Sequence, residues 1–251
     1  MISLEHLSAG YGAVPVLRDI SLTFPDGQVT VLVGPNGCGK STLINTALGF
    51  LPPLAGQVLY DGTPLQALSP QQLALRAAYM AQGPSVPSIL SRKMVLHGRF
   101  PHLGFPRRYR PKDFQAMEKA LARAGAADLA DRSMQALSGG QRQKVYLAMA
   151  LAQETPALFM DEPTTYLDPR RQLDTMHTAQ ALAAEGRAVI MVSHDLCLAL
   201  RTAHTVAVLA RGKLQAVGTP AQIFESGVLE QVFGVSLGAV PTPEGPRYYF
   251  K

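Results

Sequence analysis

Gly34-Pro35-Asn36-Gly37-Cys38-Gly39-Lys40-Ser41, the stretch GPNGCGKS, decides the fold. It satisfies the pattern G-x-x-x-x-G-K-[ST] at every fixed position. An apolar run, VTVLV at Val29–Val33, precedes it, and a segment of helical character, Ser41–Leu48, follows. Strand, glycine loop and helix in that order is the context that separates a phosphate-binding loop from a chance match. Glycines permit backbone conformations that turn several N–H groups toward one anion, and the start of the next helix adds a favourable dipole. Gly34 through Thr42 is therefore the expected nucleotide cradle. Lys40 is expected to reach the β- and γ-phosphates, and the Ser41 hydroxyl to ligate Mg²⁺.

Two other apolar runs end in polar side chains. ALFMDEP at Ala157–Pro163 suits a buried parallel strand with Asp161 and Glu162 at its carboxyl end, where open α/β sheets bind ligands. Adjacent acids at the end of a core strand need a partner, because an unpaired charge there is costly. Asp161 suits an Mg²⁺ ligand and Glu162 a base that orients an attacking water. VIMVSHD at Val189–Asp195 repeats the arrangement with Ser193, His194 and Asp195, and His194 is placed to donate to a γ-phosphate. The bland alternatives are solvated acids and a surface histidine.

Around these points the chain alternates. Short β-type runs lie at Ile2–Leu7 and Val16–Phe24, divided from Val29–Val33 by the turn Pro25-Asp26-Gly27. A strand at Gly56–Gly62, a helix at Pro70–Arg76 and a strand at Ala78–Ala81 follow. Pro84, Pro87, Pro101, Pro106 and Pro111 exclude long regular elements from Gly83–Lys112. Amphipathic helix then dominates, so residues 84–152 read as a helical insertion. Beyond it, Leu158–Met160, a helix at Arg170–Ala184, Val189–Val192, a helix at Leu196–Thr202 and a hairpin about Arg211-Gly212 resume the layered α/β pattern.

Leu137-Ser138-Gly139-Gly140-Gln141, LSGGQ, opens a helix in that insertion. Ser138 and Gln141 have capping-box spacing. Each glycine, however, lowers helix propensity by up to about 1 kcal/mol relative to alanine. What the glycines offer is bare backbone that an anion can approach. A second cradle for one nucleotide must meet the γ-phosphate from another side, within the chain or from a second chain.

Together these motifs resemble the ATP-binding subunit of an ABC transporter, over residues 1 to about 235. LSGGQ is that family's signature and far more specific than a phosphate loop alone. The resemblance implies an α/β P-loop NTPase (RecA-like) core, about 1–83 and 153–235, with a β-rich N-terminal subdomain. A helical signature subdomain at 84–152 and a tail, 236–251, of unassigned role complete the expected organisation. It also implies a head-to-tail dimer in which ATP and Mg²⁺ lie between the phosphate loop of one cassette and Ser138, Gly139, Gly140 and Gln141 of the other. Tyr11 in SAGYG matches the aromatic residue that stacks on adenine. Gln82 in YMAQ matches the glutamine that senses Mg²⁺ and the γ-phosphate and couples to the membrane domains. Asp168 in TTYLD matches the aspartate that communicates across the dimer, and His194 the switch histidine.

PTTYLD at Pro163–Asp168 and VLHGRFPHLG at Val95–Gly104 resemble the importer cassettes of iron–siderophore, haem and cobalamin permeases, although His97 stands where a small residue is expected. That branch implies two permease subunits, a separate substrate-binding protein and a place on the cytoplasmic face of the inner membrane. Molybdate-type oxyanion import and export are the alternatives. A nucleic-acid-acting ATPase of the family would carry coiled-coil insertions or two cassettes, so no nucleic acid is expected.

Composition agrees with a soluble subunit. Of 251 residues, 47% are apolar and 16% charged, and no run approaches the roughly 18 apolar residues of a membrane span. No secretory signal is expected at the N-terminus. Two cysteines, Cys38 and Cys197, form neither a metal pattern nor a disulfide framework. The net charge of +5 is concentrated locally in RRYRPK at Arg107–Lys112, a solvated loop or a contact surface for lipid headgroups or a partner.

Overall fold

The computed structural model describes residues 1–81, 86–164, 167–243 and 245–251. They fall into two compact units, one made of Met1–Leu68 with Ala179–Lys251 and the other of Ser69–Thr178.

The first unit opens with β1 (Ile2–Tyr11) and β2 (Val14–Phe24), an antiparallel pair with Leu4 opposite Leu22. Alternation puts Ile2, Leu4, Leu7, Leu17, Ile20, Leu22 and Phe24 in the core and polar residues outside. β3 (Val29–Val33) is buried throughout, and the glycine loop leads from it into α1 (Lys40–Ala47). β4 (Ala55–Tyr60) and β5 (Thr63–Pro64) complete a four-stranded antiparallel sheet ordered β2-β1-β4-β5.

The second unit begins with α2 (Pro70–Ala74), whose Ser69–Gln72 capping box and Pro70 fix its start, and β6 (Ala77–Met80). Among its described residues the proline-rich stretch holds a short helix, α3 (Ser91–Leu96), a 3₁₀ turn over His97–His102 and the first residues of the next helix. α4 (Pro111–Arg123) buries Ala116, Met117, Ala120 and Leu121 at helical spacing and packs against α5 (Gly139–Ala152). β7 (Ala157–Asp161) pairs in parallel with β6, Met160 opposite Met80. α6 (Pro169–Ala184) starts in this unit, and its residues from Ala179 belong to the first.

The chain then returns to the first unit. β8 (Ala188–Val192) lies parallel to β3, with Leu32 opposite Val192. α7 (Leu196–Thr202) follows, and β9 (Thr205–Ala210) lies parallel to β3 on its other side, with Val33 opposite Val208. Both neighbours of β3 are continuous apolar runs, as strands buried on both faces require. β10 (Lys213–Gly218) closes a hairpin on β9. Two short helices, α8 (Pro220–Glu225) and α9 (Val228–Phe233), precede the tail. The role of the tail is unassigned by the sequence. Here β11 (Leu237–Val240) and β12 (Arg247–Phe250) form an antiparallel pair, and β12 packs on α7.

Candidate functional site

In the first unit the glycine loop is shaped by what surrounds it. A Cβ on Gly34 would lie 2.1 Å from the Leu209 carbonyl oxygen and 2.6 Å from Cys38 Sγ, so only glycine lets the loop pass the end of β9. Gly39, at φ 111°, caps α1 in a conformation other residues rarely adopt. Among the described residues no side chain caps this helix and no acid stands in its first turn, so none of them competes for its leading amides. Lys40 is buried, and its ammonium donates to the carbonyls of Gly34 at 2.6 Å and Pro35 at 3.1 Å. A cation fixed in a ring of backbone, beside an uncapped helix start, fits a polyphosphate. Ser41 is exposed at the same helix start and Thr42 is buried. Cys38 is buried beside Lys40, and burial pushes its thiol pKa up despite the nearby ammonium.

β8 runs parallel to β3, and the amide of Ser193 donates to the Leu32 carbonyl at 3.1 Å. The chain leaving β8 therefore emerges on the same edge as the glycine loop. His194 is exposed there. Asp195 has a local role, its Oδ1 accepting the Leu198 amide at 2.9 Å as the N-cap of α7. Tyr11, at the end of β1, is 59% exposed, which leaves its ring face available for stacking.

In the second unit Asp161 ends β7 half-buried, and the Tyr79 hydroxyl on the neighbouring strand donates to its Oδ2 at 3.4 Å. Burial, then the Asp161 charge, push the Tyr79 pKa up to about 12. Glu162 is half-buried at φ 50°, a left-handed conformation that carries strain for a non-glycine residue. Gln82 lies outside the described residues.

The LSGGQ stretch forms the expected cap. The Ser138 amide donates to Gln141 Oε1 at 3.0 Å, and Ser138 Oγ accepts the Gln141 amide at 3.4 Å. A Cβ on Gly139 would meet nothing within 4 Å, so packing inside the chain does not call for glycine there. Asp168 accepts the Arg171 amide at 3.0 Å and pairs with its Nε at 3.2 Å at the start of α6. Sequence reasoning missed two contacts. The Gln143 amide donates to the Pro163 carbonyl, joining α5 to the residues that follow Glu162. Tyr79 gave one clue, a polar tip in the otherwise apolar AAYM. Among the described residues no group of three or more metal-type ligands is assembled by protein side chains alone.

A phosphate loop of this build on an α/β scaffold defines a P-loop nucleotide-binding protein. The model of the ABC transporter family matches residues 17–165, and the chain belongs to that family as an ATP-binding subunit. It is 39% identical over 244 residues to the iron(3+)-hydroxamate import ATP-binding protein FhuC of Bacillus subtilis (strain 168), covering 96% of this chain and 91% of that protein. It is 40% identical over 250 residues to the hemin import ATP-binding protein HmuV of Pseudomonas entomophila (strain L48), covering 97% and 96%. Among solved structures, a chain of an inward-facing metal-chelate type ABC transporter matches at a TM-score of 0.85 and 26% identity, covering 100% of this chain and 96% of that one. The α/β cassette fold expected from the sequence is thus borne out, and cassettes of import systems hydrolyse ATP. No helix among the described residues is long and apolar enough to cross a membrane.

Proposed function

We propose that this chain hydrolyses ATP to drive import of a metal chelate of the iron–siderophore, haem or cobalamin type. It would act as a pair of identical cassettes bound to two membrane-spanning permease subunits on the cytoplasmic face of the inner membrane. A separate binding protein would deliver the cargo. The observation that carries this reading is identity near 40%, over almost the whole chain, to subunits named for hydroxamate and hemin import.

In this reading the backbone N–H groups of Gly34, Asn36, Gly37, Cys38, Gly39, Lys40, Ser41 and Thr42 hold the phosphates, Pro35, which has none, helps set the loop's path, and the buried Lys40 balances the phosphate charge. Ser41 and Asp161, with Gln82, would hold Mg²⁺, which when bound neutralises charge developing on the phosphates. Glu162 takes the proton of the attacking water, His194 donates to the γ-phosphate, and Tyr11 stacks on adenine. Ser138, Gly139, Gly140, Gln141 and Asp168 serve the ATP of the partner cassette. The open space at Gly139 supports this assignment, since neither strain nor packing within the chain accounts for that glycine.

Reconstitution with candidate metal-chelate permeases tests the proposal. Turnover should rise when a binding protein loaded with a ferric chelate or haem is added. Stimulation by an oxyanion-loaded protein, or by none of them, would overturn the cargo class.

A further inference from the structure

Residues 104–112 of the second unit, GFPRRYRPK, contain four cations and no acid. Phe105 is 100% exposed, and Arg107, Arg108, Arg110 and Lys112 are all exposed. None of these four is ion-paired with a described residue.

The base of this loop is firmly held. Arg99 is buried, with Nε on Asp113 Oδ1 at 3.1 Å and Nη1 on the Ala152 carbonyl and Glu154 Oε2, each at 2.7 Å. Asp113, also buried, accepts the Arg110 amide at 2.9 Å. His102 Nε2 meets the Gln153 carbonyl at 2.8 Å. The Tyr109 ring lies between Phe100 and Phe114, with centroids 6.0 and 6.1 Å away. The fold thus uses a buried ion pair and an aromatic stack to present a loop whose tip arginines, Arg107 and Arg108, pair with no described acid.

We infer that this loop docks on anionic lipid headgroups, with the Phe105 ring at headgroup depth and Arg107, Arg108 and Arg110 on lipid phosphates. A single-signed cluster beside an aromatic tip suits the dense negative charge of a bilayer surface, where each basic side chain gains from the surface potential and a ring gains from the interface. A docking face for a folded protein would instead pair its cations with scattered carboxylates and rim its apolar tip with mixed charge. The inference goes beyond the permease-bound reading, and the vesicle-binding measurement at its centre needs no permease.

The test is sedimentation of the purified full-length cassette with phosphatidylcholine vesicles, with and without one third phosphatidylglycerol, at low and high salt. Binding should require phosphatidylglycerol and fall with salt. Arg107→Ala and Arg108→Ala should each weaken it about fivefold, and Phe105→Ser should weaken it severalfold with ATP binding unchanged. Equal partitioning of the variants and the wild type would overturn the inference. So would variants that keep vesicle binding but lose permease-stimulated ATPase in detergent, since the loop would then meet protein. A cassette that binds anionic vesicles yet is stimulated by no permease would sink the functional proposal and leave this one standing.

Discussion

A Cβ on Gly140 would lie 2.2 Å from Arg171 Nη1, the guanidinium that also pairs with Asp168, while one on the preceding Gly139 would meet nothing within 4 Å. The two glycines of LSGGQ therefore differ. A side chain at Gly140 must displace a flexible arginine and loosen a surface pair worth about 0–1 kcal/mol. A side chain at Gly139 disturbs nothing in its own chain. Gly139→Leu is expected to shift unfolding free energy by less than about 1 kcal/mol and to leave ATP binding by the monomer intact. ATP-driven dimerisation, read by light scattering, should disappear, and turnover should fall at least about a hundredfold. Loss of monomer binding would mean that the motif serves its own chain's nucleotide.

Glu162 occupies a left-handed conformation at the end of β7. Gln has the same shape and branching, so Glu162→Gln removes the base without altering backbone demands. Turnover should drop about 10²–10⁴-fold with ATP affinity retained, and an ATP-bound dimer should accumulate on size exclusion. Wild-type turnover in the variant would remove Glu162 from the mechanism.

The elements legible in the sequence were those with a period or a punctuating motif. The runs at Val29–Val33 and Val189–Val192, the capping residue Ser138, and the glycine loop each carry a local signal, and each element lies where that signal put it. β1 and β2 extend past the apolar runs to Tyr11 and Val14, because their outer ends carry exposed or polar residues that pairing alone organises. The β11–β12 pair was beyond reach because its register depends on long-range packing against α7. The same holds for side-chain contacts such as Gln143 with Pro163 and Tyr79 with Asp161, which join residues 20 and 82 positions apart.

The buried Arg99–Asp113 pair should dominate acid sensitivity in the second unit. Burial alone would raise the Asp113 pKa, but the Arg110 amide and then the Arg99 guanidinium outweigh it and hold the carboxyl below the ordinary carboxylate range. A depressed folded pKa gives stability that is whole above about pH 4 and is lost as pH falls below it. Asp113→Asn should cost about 3 kcal/mol at neutral pH, the low end because Glu154 still contacts Arg99. Urea midpoints for the variant should also change less than wild type between pH 5 and pH 3. Parallel acid profiles would show that the pair does not couple to protonation.

Two tyrosines set an alkaline limit. Tyr60 is buried and donates to the Ala47 carbonyl at 2.8 Å, and burial pushes its pKa well above the ordinary range. Tyr79 is pushed up to about 12 by burial and then by Asp161. Raised folded values give stability that is whole below about pH 10 and drains away as pH climbs toward them. Tyr60→Phe should cost about 1 kcal/mol at pH 8 and flatten the loss between pH 10 and 12, as measured by denaturant midpoints. An unchanged alkaline slope in both Tyr60→Phe and Tyr79→Phe would exclude these hydroxyls as its source.

Cys38 joins the chemistry of the loop to its sterics. Its pKa is raised chiefly by burial, so little thiolate exists at neutral pH and alkylation should be slower than for a free thiol. Its Sγ lies 3.9 Å from Lys40 Nζ, so a group added at the sulfur would crowd the ammonium that faces the phosphates. Complete modification by iodoacetamide, verified by mass spectrometry, should abolish ATP binding, and bound ATP should slow the reaction. Cys38→Ala should bind ATP normally and be indifferent to the reagent. Full affinity in wild-type protein with Cys38 fully alkylated would show that the phosphates lie clear of this side chain.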